Sequence, residues 1–184
     1  MTERFKEATK ELHEQVEKEN LARFIMDHSI DMETYRLLLL QNYLAYKKTE
    51  TAIGIYIKDY EGTKHQQLSK DLKNLDAPEV SIDPHFSCNS LAEAFGAAYV
   101  VEGSALGGMV LAKNIPQCSG LSAVETHYFF NGDRDNLKAW KDFKNELSKQ
   151  DFTDKEQLEA TEKAKDTFRF FREIFRMDQS VLQS

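Results

Sequence analysis

Apolar residues recur along almost the whole chain at the three- and four-residue spacing of a helix. Strand-like alternation appears nowhere. Phe5, Ala8, Leu12 and Val16 form one stripe and predict an amphipathic first helix. Residues 32–58 predict a second, long helix with Tyr35, Leu38, Leu39, Asn42, Tyr43, Tyr46 and Ile53 on its apolar face. Lys64 to Leu75 predicts a shorter surface helix, and Pro78 and Pro84 make Asp76 to Cys88 a loop. The Ser90-x-x-Glu93 spacing is a capping-box signature and opens an apolar helix reaching about Lys113, ended by Pro116 and Gly120. Thr126 to Phe130 reads as a helical or turn segment closed by Asn131-Gly132-Asp133, and a helix from about Asp135 to Lys149 follows. Thr153-x-x-Glu156 is a second capping box, opening a last helix to about Met177, and residues 178–184 are expected to fray. The expected fold is all-α, a single-domain bundle of about seven helices over residues 1–177.

Composition narrows the function. The 184 residues carry a formal net charge of -7, which argues against nucleic acid or an anionic membrane surface as the partner. Apolar runs such as Leu37–Leu40 are far short of the ~20 residues of a membrane span, and the N-terminus lacks the apolar run of a secretory signal. A soluble cytoplasmic domain is expected. Cys88 and Cys118 are isolated and form no metal or disulfide pattern.

Two places depart from a generic bundle. Gly103-Ser104-Ala105-Leu106-Gly107-Gly108 puts three of the chain's eight glycines inside an apolar helix. Each costs up to ~1 kcal/mol relative to alanine there. Either close helix packing or a kink uses the missing side chains, or a flat ligand lies against the bare backbone. The second place is His13, about 80° from Phe5 on the helical wheel and so at the flank of the apolar stripe. Lys6 projects the same way, ~10 Å along the axis. His13 is either an edge residue or an axial ligand, since a neutral imidazole with a carboxylate such as Glu17 or Glu14 nearby suits haem iron. The remaining histidines carry no ligand spacing: His28 and His65 read as solvent-facing, and Glu125-x-His127 is not the i, i+3 pair of di-iron bundles. Phe168, Phe171 and Phe175 read as core, with Lys165, Arg169, Arg172 and Arg176 as a solvated face from which one or two could meet an anion.

Phe5-Lys-Glu-Ala-Thr-Lys-Glu-Leu-His13-Glu-Gln-Val-Glu17 resembles the proximal helix of haem oxygenases. Tyr99-Val-Val-Glu-Gly103-Ser-Ala-Leu-Gly107-Gly108 resembles the glycine-kinked distal helix of their bacterial, biliverdin-producing branch. Phe129-Phe-Asn-Gly132, Trp140-x-x-Phe143 and Ala164-Lys-x-Thr-Phe168 are similar to further blocks of the family in the same order. The resemblance implies haem as both substrate and prosthetic group, O2 as co-substrate, and biliverdin, CO and iron as products. It implies His13 as the iron's axial ligand, Lys6, Lys141 and Lys144 for the propionates, Thr9, Glu17 and Tyr99 as lining, and Gly103, Ser104, Gly107 and Gly108 as the distal catalytic segment. An electron donor of ferredoxin, flavodoxin or reductase type and a monomeric state complete the expectation. One departure stands out. Animal-type members carry an Asp after the first distal glycine, where this chain has Ser104; the bacterial branch also lacks it. That swap keeps open a haem carrier or sensor that does not degrade its ligand. A bundle of the same fold holding another ligand is the third reading.

Overall fold

The computed structural model describes residues 1–182, and every regular element among them is helical. In chain order they are α1 (Thr2–Glu19), α2 (Arg23–Met26), α3 (Met32–Gly54), α4 (Lys64–Asn74), α5 (Leu91–Gly103), α6 (Ala105–Asn114), α7 (Asp135–Ser148), α8 (Asp154–Phe175) and α9 (Gln179–Leu182). Two short 3-10 turns, Ile115–Gln117 and Ser119–Leu121, follow α6. The bundle is therefore all-α, as expected, but more finely divided than about seven helices.

Local chemistry explains most boundaries. Asp31 caps α3 by accepting from Thr34 N at 2.7 Å, and Thr153 with Glu156 forms the reciprocal box that opens α8. The box expected at Ser90 is only half made. Ser90 accepts from Glu93 N, but the Glu93 carboxylate turns to Asn89 N at 2.9 Å and to Lys163 at 3.0 Å. The long second helix ends at Gly54, short of residue 58, and Thr126–Phe130 is turn and bend with no helix. The C-terminal segment expected to fray is packed as far as it is described: Leu182 is fully buried and its carbonyl accepts from Ser81 N at 2.9 Å.

α8 is the scaffold, with α5 and α1 laid against it and α3 packed on α4, α5 and α8. Gly96 sets the α5–α8 distance. A Cβ there would lie 2.0 Å from the Ala160 carbonyl oxygen, so only glycine allows the two backbones to meet. The combined run Leu91–Gln117 is 27 residues long, with a window of mean hydropathy 1.4, and so is long and apolar enough to cross a membrane. This corrects the expectation drawn from shorter runs. Half of that window is buried inside the bundle, with α5 between α3 and α8, as befits a core helix.

The ends of α1 and α8 are tied by charge. Glu19 accepts from Arg172 Nε and Nη2 at 2.8 Å each and from Arg176 Nη2 at 2.7 Å, and these charged donors pull its carboxyl pKa down to about 2. Lys165 pairs with Glu162 and Arg169 with Asp166. All four cations read as a solvated face of α8 are thus engaged by carboxylates.

Candidate functional site

His13 lies on the exposed flank of α1, its side chain 55% exposed and its ring edge-on to Phe168 of α8, with centroids 5.5 Å apart. Glu17 Oε1 comes to 3.7 Å of Nε2, within ion-pair reach but too far for a hydrogen bond. Thr9, one turn earlier, is buried, and its hydroxyl donates to Phe5 O at 2.7 Å. Lys6 and Lys141 are exposed and make no ion pair among the described residues, whereas Lys138 is spent on Asp142 at 2.6 Å. Lys144 lies over the Trp140 ring, 5.2 Å from its centroid.

The glycine-rich segment is where the apolar run breaks. α5 stops at Gly103, Ser104 stands outside both helices, and α6 starts at Ala105. Helical bonding resumes at once, Gly108 N donating to Ser104 O at 3.0 Å. The glycines differ in use. A Cβ on Gly103 would touch the Trp140 ring at 3.8 Å, ordinary contact, while one on Gly107 or Gly108 would meet nothing within 4 Å. Close packing therefore accounts for Gly96 and not for Gly107 or Gly108. Leu106 and Val110, on the same stretch, are about half exposed.

Rings connect these positions. Tyr99 sits between Phe5 (4.9 Å) and Trp140 (5.8 Å), which stacks on Phe143 at 5.6 Å. Thr9, Tyr99, Gly103, Trp140 and Lys144 are thereby gathered where α1, α5 and α7 meet. His13 stands on α1 beside Phe168, with Glu17 one turn further along. One turn along α8, Phe171 packs on Tyr46 (5.1 Å), and Phe129 covers Tyr46 from the other side (5.5 Å).

Tyr46 is a site residue that periodicity assigned only to the core. Its phenol lies beside the Ser104 side chain, whose hydroxyl donates to Val101 O at 2.7 Å. Burial pushes the Tyr46 pKa far up; the Ser104 bond opposes this, and Glu50 and Glu102 add to it. Tyr99 and Thr9 repeat the arrangement on the α1 side. The phenol reaches a hydroxyl already bonded to its own helix, and burial raises the phenol's pKa. The signal for both was available, because a tyrosine in a buried stripe must still place its hydroxyl.

Other polar groups position this set. Asp71 of α4 is buried and accepts from Tyr128 N at 2.7 Å and Phe129 N at 2.8 Å, which seats Phe129 against Tyr46. Burial raises the Asp71 pKa against the pull of those two amides. His127 is not free: its Nδ1 is 2.6 Å from the Tyr35 hydroxyl, and burial lowers its pKa. His65, expected to face solvent, is bonded through Nδ1 to Glu50 at 2.6 Å.

The chain is thus an all-helical bundle with a half-exposed imidazole on α1 and a glycine backbone on α6 that packing does not require. Residues 1–177 match the sequence family described as heme oxygenase, and the chain belongs to that family. The fold is similar to that of the NO- and CO-bound heme oxygenase from Neisseria meningitidis, at a TM-score of 0.75 and 22% identity over 95% of this chain and 89% of that one. It is also similar to heme oxygenase from Leptospira interrogans, at a TM-score of 0.70 and 19% identity over 95% of this chain and 97% of that one. No individually curated protein matches the chain.

Proposed function

We propose that this chain is a haem-degrading oxygenase that converts haem to biliverdin, CO and iron, with O2 as co-substrate. The observation that carries the reading is the contrast among the glycines, taken with His13. Gly96 is used by packing, Gly107 and Gly108 are not, and the half-exposed imidazole on α1 makes no hydrogen bond among the described residues. These residues fit haem. His13 would hold the iron. Lys6, Lys141 and Lys144 would meet the propionates, for which Lys6 and Lys141 are free of competing carboxylates. Thr9, Glu17 and Tyr99 would line the α1 side. Gly103, Gly107 and Gly108 would let the backbone lie close to the ring, leaving little room above it.

When bound, haem supplies the iron that activates O2 and the macrocycle that is opened. The chain supplies position and protons. Ser104 offers no carboxylate; proton-holding groups at the distal segment include the Ser104 hydroxyl and the Tyr46 phenol beside it. Burial raises the Tyr46 pKa, so that phenol would keep its proton in the physiological range. The glycines around Ser104 would let the segment bend as ligand enters and product leaves. We further assign electrons to a ferredoxin, flavodoxin or reductase, and place the protein in the cytoplasm as a monomer.

The test is to add haem to the purified protein, then a reductant in air. A Soret complex that turns over to a bile pigment is expected; absence of either sinks the oxygenase reading. Ser104 in place of a carboxylate favours one alternative, a haem carrier or sensor, which would keep an unchanged haem spectrum under the same conditions.

A further inference from the structure

Glu102, the residue immediately before Gly103, is the single charged residue buried on α5; its buried neighbours there are alanine, glycine, valine and phenylalanine. A carboxylate in such a place is expensive unless both oxygens are satisfied. Both are. Oε2 accepts from Lys64 Nζ at 2.7 Å and Oε1 from the Tyr60 hydroxyl at 2.7 Å, and the Lys64 and Glu102 side chains are 6% and 8% exposed.

Lys64 is itself held. It opens α4, and Glu50 of α3 accepts from Lys64 N at 3.0 Å, His65 N at 2.9 Å and His65 Nδ1 at 2.6 Å. Gly62 lets the incoming chain pass Glu50, since a Cβ there would lie 2.8 Å from Glu50 Cβ. Glu50 is one turn beyond Tyr46 on α3, and Tyr46 meets Ser104. The end of α5 is thus fixed by α4 through Glu102, with the Tyr46 phenol of α3 beside Ser104. The helix breaks within two residues of that point, where Ser104 N bonds back to Glu102 O. Replacing a buried ion pair with apolar residues is often neutral for stability, so stability alone does not explain a charge here.

We propose that Glu102 is a positioning residue for the distal segment: clamped by Lys64 and Tyr60, it holds the turn at Ser104 and so the backbone of Gly103–Gly108 in the arrangement the haem meets. The inference rests on the haem reading above. Three variants test it: Tyr60→Phe, which removes one bond; Glu102→Gln, which removes the charge; and the apolar pair Lys64→Met with Glu102→Leu.

Two readouts apply, amide hydrogen exchange of residues 103–108 in haem-free protein and the C–O stretching band of CO on ferrous haem. Glu102→Gln is expected to raise exchange across 103–108 by roughly tenfold, with little change at the start of α5, and to shift or split the CO band. Tyr60→Phe should act in the same direction and less. The apolar pair should regain thermal stability while keeping the altered band. Wild-type exchange and band positions in Tyr60→Phe and Glu102→Gln, or in the apolar pair, overturn the proposal. Failure of the wild-type chain to bind haem would count against the function instead, and the exchange data would still judge Glu102.

Discussion

Arg172 grips Glu19 through both Nε and Nη2, joining the last turn of α1 to α8 across 153 positions of sequence. Because α1 also carries His13, this contact bears on where the imidazole stands relative to Phe168.

The pH dependence of that contact has a definite sign. The Glu19 carboxyl is depressed from 4.5 to about 2 in the folded chain, so its contribution is present above the unfolded value and lost as pH falls through the folded one. Glu19→Gln should therefore lower the Tm at pH 7 by an amount worth about 1 kcal/mol, the scale of a partly screened ion pair. The difference between the two proteins should close as pH drops from about 4.5 towards 2. Thermal melts of both proteins across that range check it, and a pH-independent difference would rule out the ion pair as its source.

Two glycine substitutions should behave in opposite ways. Gly96→Ala drives a methyl into the Ala160 carbonyl and should cost about 3 kcal/mol or prevent folding. Gly107→Ala meets no protein atom and should stabilise the haem-free chain by about 0.5 to 1 kcal/mol through helix propensity, while weakening haem binding. Urea unfolding and haem titration of each variant separate the effects. A destabilised haem-free Gly107→Ala would mean that packing, not a ligand, explains that glycine.

His13→Ala should leave the haem-free protein within about 0.5 kcal/mol of the parent, because the side chain is more than half exposed and its contact with Glu17 is an exposed one. Its haem complex should lose the parent's iron spectrum. An unaltered Soret band and unaltered affinity would remove His13 as the axial ligand.

Asp71→Ala leaves the Tyr128 and Phe129 amides without their acceptor and should cost about 3 kcal/mol. The loss should appear locally, as faster hydrogen exchange at those two amides. Slow exchange there in the variant would show that another group seats the segment.

Local pattern carried most of the fold. The stripes through Phe5, Val16, Leu38 and Phe168 located their helices, and Asp31, Ser90 and Thr153 mark true N-termini. The glycines at 103–108 marked where an interruption could fall, but not its exact place at Ser104, which keeps right-handed helical angles. The same is true of charge. Glu102 reads as an oddity in an apolar run, and Lys64, 38 positions away, is its reason. Arg172 and Arg176 look solvated until Glu19 arrives from the other end of the chain. His13 and the glycines stood out because each is anomalous in its own helix, whereas Tyr46 and Trp140 suit theirs and show a role only through what they touch.

The contact between Gly96 and Ala160 carries a consequence for anyone reshaping this protein. The obstructing atom belongs to the main chain, so no exchange of side chain at 160 can make room for a larger residue at 96. The spacing of α5 and α8 is in effect a fixed gauge. Variation in ligand preference has to come from elements free of that gauge, above all α6, with its exposed Leu106 and Val110, and the exposed face of α7.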